Sequence, residues 1–113
     1  MGEDREINTY VFDLDGTLCT LTDGDYKSAL PYPKRIEIVN QLFKEGHEIV
    51  IFTARGMRSE NGNSMSAKKK WELVTIEQLE LWGIKHHRLI LGKPAGDFYI
   101  DDKSISDRDF FGV

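Results

Sequence analysis

What is scarce in this 113-residue chain narrows its chemistry before any motif is read. There is one cysteine, Cys19, so no internal disulfide can form, which agrees with a reducing compartment. No apolar run is longer than strand-like pieces such as Ile49-Val50-Ile51-Phe52, so a membrane span and a signal-peptide core are both missing and a cytoplasmic protein is expected. Base is not in excess either: the formal net charge of −4 argues against a nucleic-acid backbone as the main partner. His47, His86 and His87 have no metal-ligand spacing to cysteine or to another histidine, and structural roles are expected for them. No internal repeat or low-complexity segment is visible. What remains, 40% hydrophobic and 30% charged residues, is the composition of a soluble globular chain, and the length allows one domain over residues 1–113 with a single core.

The stretch with most chemical content is Val11-Phe12-Asp13-Leu14-Asp15-Gly16-Thr17. An apolar run delivers two carboxylates to a loop, and alternate residues of an extended chain share a face, so Asp13 and Asp15 are predicted to point the same way before Gly16 permits a turn. Like charges that close need a cation or a proton between them. With no Lys or Arg near them in the sequence, a hard divalent ion such as Mg²⁺ is the natural partner.

Taken in order, residues 1–6 read as a frayed polar leader and residues 7–12 as strand one. A loop over residues 19–32 follows, from which Tyr26 and Lys27 either close over a pocket or pack locally. Pro33 suits the first position of a helix, Ile36, Val39, Leu42 and Phe43 recur at helical spacing, and Gly46 ends it. Residues 47–52 are nearly continuous in β-branched and aromatic side chains, as a central parallel strand should be. Residues 57–66 read as a mobile loop with little to bury. A second helix is predicted over residues 67–82, with Trp71, Val74, Leu79 and Trp82 inward and Lys68, Lys69 and Lys70 on a solvated face. Residues 88–91 and 97–100 read as strands three and four. The order of elements predicts an α/β sandwich with a mainly parallel sheet.

In an open parallel sheet, ligands bind beyond the carboxyl ends of the strands. Asp13 and Asp15 follow strand one, Thr53 strand two, Lys93 strand three, and Asp101 and Asp102 the fourth. Carboxylates, a hydroxyl and an ammonium converging on one edge suit phosphoryl transfer: a metal and a lysine to neutralise phosphate, a hydroxyl to bind an oxygen, a carboxylate to attack or to move protons. Arg55 and Arg58 either read substrate through their forked guanidinium groups or lie on the surface.

Asp13-Leu-Asp-Gly-Thr17, Phe52-Thr53-Ala-Arg55, Gly92-Lys93-Pro94 and Tyr99-Ile-Asp101-Asp102 resemble, in order, the four motifs of the haloacid dehalogenase-like superfamily. The resemblance implies a three-layer α/β core with a Rossmann-like sheet, and a Mg²⁺-dependent phosphatase acting through an aspartyl-phosphate. By it, Asp13 is the nucleophile, Asp15 the general acid and then base, and Thr53 and Lys93 the phosphate holders. The metal set would be Asp13, Asp15, Asp101 and Asp102, with Asp15 contributing through its backbone carbonyl. The chain looks similar to small capless bacterial members associated with capsular or surface-polysaccharide biosynthesis. Its spans have no room for an inserted cap domain, and the later strand and final helix usual in the family are not expected. A small phosphorylated substrate is expected, with no nucleic acid or membrane partner. The Phe110-Phe111 pair either packs against its own core or, as the tail or with the sheet edge, makes a homo-oligomer that helps to wall the pocket. The alternatives are a receiver-like module, disfavoured by Thr53 at the exit of strand two, and a catalytically silent phosphate-binding subunit, which would be expected to have lost Asp13 or Lys93.

Overall fold

The sheet is built on Glu48–Thr53, a strand with Ile49, Val50, Ile51 and Thr53 buried, as the continuous apolar run predicts. The structure, a computed structural model, describes residues 6–113, so the predicted leader lies, except for Glu6, outside the described residues. Thr9–Phe12 forms β1, Glu48–Thr53 β2 and Arg88–Leu91 β3, in the order β1-β2-β3 with both pairings parallel. Val11 pairs with Val50, and Thr53 with Leu91, so the carboxyl ends of all three strands emerge on one edge. The fold is α/β with a parallel Rossmann-like sheet, and among the described residues no cap domain interrupts it.

Helix α1 (Pro33–Lys44) starts on Pro33, whose fixed φ and missing N–H fit the first turn. Its buried face, Ile36 and Val39, joins Phe12, Leu14, Ile49, Ile51, Leu79 and Phe111 in one core. Each such aliphatic side chain fully removed from water contributes about 1.5–3 kcal/mol. Helix α2 (Ser64–Leu81) begins earlier than predicted because the Asn63 side chain accepts the Ser66 N–H at 3.0 Å and caps it. Its buried residues are Ala67, Thr75, Gln78 and Leu79, so half of its inner face is polar. Trp71, Val74 and Trp82, predicted to point inward, are only half-buried. Lys68 and Lys70 pair with Glu72 and Glu60 on the solvated side, as expected.

Two readings change, and one open alternative is decided. Residues 57–66 are not a loose loop: Met57 is buried, and the turns preceding α2 are laced by bonds such as Gly62 N–H to Met57 O at 2.7 Å. Residues 97–100 make no strand. The Tyr99 hydroxyl donates to Pro94 O at 2.6 Å and accepts from Gly96 N–H at 2.8 Å, folding the segment on itself and leaving Phe98 and Ile100 exposed. The aromatic tail is packed at home, in the short helix α3 (Asp107–Phe111), with Phe110 and Phe111 ring centroids 5.6 and 5.8 Å from Phe12. No helix among the described residues is long and apolar enough to cross a membrane.

Candidate active site

Past Phe12 the chain turns within a few residues. Leu14 is wholly buried, its carbonyl accepts from the N–H groups of Thr17 and Leu18, and Gly16 takes φ +86°, a conformation that side-chain-bearing residues rarely adopt. The carboxylates on either side of Leu14 stay partly accessible. Lys93, one residue beyond the Gly that follows β3, extends the ladder by donating its N–H to Thr53 O at 3.1 Å. Its Nζ then lies 3.4 Å from Asp13 Oδ1, and the Thr17 hydroxyl donates to Asp13 Oδ2 at 3.1 Å. The ammonium also sits 4.3 Å from the centre of the Tyr99 ring. Thr53 is buried at the end of β2, where its Oγ1 accepts the Arg55 N–H at 3.1 Å.

Asp15 meets a different cation. Arg55 Nε lies 2.9 Å from Asp15 Oδ2 and Nη2 3.0 Å from Oδ1, a two-pronged pair. Thus both acids that looked uncompensated in the sequence have a basic partner brought from another strand exit. Arg55 is 1% exposed, which corrects its assignment as a surface or substrate-reading residue: its guanidinium is turned into the fold. Arg58 does lie at the surface, where it forms a 3.4 Å ion pair with Asp97. Tyr26 packs locally, edge-on to Trp71, and its hydroxyl accepts the Gly56 N–H at 2.9 Å. Gly56 is required there, because a Cβ would fall 2.5 Å from Trp71 Cδ1 at φ +78°. Cys19 contacts Asp15 Oδ1 at 3.5 Å; burial, and then the Asp15 charge, push its thiol up to about 12, which suits a packed thiol and not a nucleophile. His47 and His87 accept backbone N–H groups from Asn8 and Ile49, structural roles as expected.

Asp101 and Asp102 are not gathered with these groups. Both are exposed; Asp101 Oδ1 accepts the Lys103 N–H at 3.0 Å, which holds its carboxyl below the usual range, and Asp102 lies 3.3 Å from Lys103 Nζ. Their displacement follows from the absence of the fourth strand that would have carried them to the sheet edge.

A comparison with curated proteins gives no match. The family model for haloacid dehalogenase-like hydrolases matches residues 10–71, more than half of the chain. The chain belongs to the haloacid dehalogenase-like hydrolase family. A crystal structure of a Vibrio cholerae protein is similar over 95% of this chain and 89% of its own, with 32% identity and a TM-score of 0.86. Members of this family generally use Mg²⁺, and the donor set here does not fit such an ion as it stands: no group of three or more His, Cys, Asp or Glu side chains converges among the described residues. Asp101 and Asp102 face Lys103 and stand apart from Asp13.

Sequence reasoning missed the interior role of Arg55 and the whole of Arg35. The latter donates to Thr17 O at 3.0 Å, to Asp107 Oδ2 at 2.6 Å and to Val113 O, tying the acid-bearing loop to α1 and α3. The available signal was Thr75 and Gln78, polar residues one turn apart on a helix face otherwise turned to the core.

Proposed function

We propose that this protein is a cytoplasmic phosphatase that hydrolyses a small phosphomonoester, such as a sugar phosphate, through an aspartyl-phosphate on Asp13. The observation that carries the reading is the trio at the exit of β1: an accessible Asp13 carboxylate with Lys93 Nζ at 3.4 Å and the Thr17 hydroxyl at 3.1 Å. An ammonium beside the attacking oxygen also lies where a phosphoryl oxygen needs neutralising, and a preset charge of this kind stabilises the transition state. Asp13 Oδ attacks phosphorus, the bond to the ester oxygen breaks, and that oxygen takes a proton from Asp15. Water then attacks phosphorus, Asp15 takes its proton, and the bond to Asp13 breaks, which regenerates both carboxyl groups. Lys93 and the Thr53 hydroxyl hold the phosphoryl oxygens.

A divalent-ion requirement belongs to this reading through the family, with Asp101 and Asp102 as the remaining carboxylates; no step is drawn through the ion, since those donors stand apart here. The likeness to members tied to surface-polysaccharide biosynthesis points to sugar phosphates as the first substrates to try. Phosphate release from a panel of sugar, glycerol and nucleotide monophosphates, with Mg²⁺ and with chelator, tests the reading. Release from small monoesters is expected, and no release from any of them would contradict the reading; the chelator arm tests the divalent-ion requirement separately.

A further inference from the structure

We infer that Arg55 is a positioning residue for Asp15, holding the acid–base carboxylate from inside the fold. The inference rests on the phosphatase reading above and adds to it the means by which Asp15 is aimed.

Each N–H of the Arg55 guanidinium has a partner. Nε and Nη2 take the two oxygens of Asp15, Nη1 reaches both Thr75 Oγ1 at 3.1 Å and Gln78 Oε1, and Nη2 also faces Cys19 Sγ at 3.9 Å. Those partners are themselves fixed: the Thr75 hydroxyl donates to Trp71 O at 2.8 Å, and Gln78 Nε2 donates to Tyr26 O at 2.7 Å. The Tyr26 ring lies 4.9 Å from the guanidinium carbon, a further contact for a desolvated cation. A fork whose other prongs are anchored on α2 cannot follow Asp15 if that carboxylate rotates, so rotation breaks two charge-assisted bonds together.

The pair is asymmetric in its access to solvent. The Arg55 side chain has no exposure, whereas that of Asp15 keeps 17%. A carboxylate offers about four lone-pair directions; the fork takes two and the Cys19 thiol approaches a third at 3.5 Å, leaving one for a leaving group or water. The polar inner face of α2 is thereby explained, since Thr75 and Gln78 would be poor choices against an apolar strand.

The test uses the full chain with p-nitrophenyl phosphate as the probe. Arg55→Lys keeps the charge but loses the fork, and kcat is expected to fall about 10²-fold, the scale of a misplacement near 1 Å, with KM unchanged. In an Asp15→Asn background the same substitution is expected to cost nothing further, because the group being aimed is gone. Thr75→Val removes one acceptor on α2 away from the reacting atoms, and covers the case in which Arg55→Lys fails to fold. It is expected to lower kcat severalfold at constant KM, again only when Asp15 is present. Equal losses in both backgrounds, or a change in KM alone, would overturn the positioning role while leaving the phosphatase reading intact. A wild-type protein that releases no p-nitrophenol defeats the phosphatase reading, and the inference falls with it.

Discussion

A buried guanidinium with every donor matched makes its acidic partner matter for stability as well as for turnover. Asp15→Asn would set an amide N–H₂ against Nε or Nη2 of Arg55, donor facing donor, beneath a surface that gives Arg55 no water. Breaking a buried pair by removing one partner costs about 3–5 kcal/mol, and the residual exposure of Asp15 sets the lower end as the expectation. The substitution is therefore expected to lower the urea midpoint, and also to slow turnover by about 10²–10⁴-fold, the usual worth of acid–base catalysis. Equilibrium unfolding and steady-state kinetics on one sample separate the two effects. An unchanged midpoint would mean that the pair is not held as described. Asp13 differs: its neighbours Lys93 and Thr17 are part-exposed, so removing its charge leaves nothing buried without a partner.

At the scale of elements, the ties between helices decide how the acid-bearing loop is held. Arg35 on α1 joins Thr17 O to Asp107 at the start of α3, and its guanidinium holds the Asp107 carboxyl below its ordinary range. A depressed carboxyl contributes stability above its unfolded pKa of about 3.9 and loses it as pH falls through the lower folded value. Asp107→Asn is accordingly expected to melt lower than wild type at neutral pH, with the gap closing in strong acid. A gap independent of pH would contradict the tie. The same scale shows what was legible in the sequence. Helix α1 and strand β3 follow from periodicity and Pro33, because local rules and burial agree there. The fourth strand does not, because Tyr99 finds its hydrogen bonds within its own turn at Pro94 and Gly96. Arg55 was legible as a cation at the exit of β2, but its inward course depends on Thr75 and Gln78, 20 and 23 residues further along the chain on α2, and only their polarity on a core-facing side of that helix hints at the pairing.

Over the whole molecule, the sheet edge that carries Asp13, Thr53 and Lys93 has no cap domain above it among the described residues. The cleft of about 590 Å³ beside the loop is lined by residues that include Gly16, Tyr32, Lys34, Arg35 and Arg108, and by neither Asp13 nor Lys93. The Phe110 and Phe111 rings are used at home, which removes the tail as a contact between copies. Phe98, Ile100 and Ile105 stay 85%, 95% and 65% exposed, and we propose them, in place of the tail, as the contact between copies in a homo-oligomer. Light scattering is expected to give more than one copy per particle, with specific activity falling on dilution; a monomer of constant activity would contradict this. In the proposed mechanism the chemistry stands on Asp13, and phosphate release by Asp13→Asn beside wild type tests it most directly. The account predicts a folded protein with wild-type melting behaviour and almost no turnover, since an amide is a very poor nucleophile. Turnover at the wild-type rate in that variant would contradict the covalent mechanism.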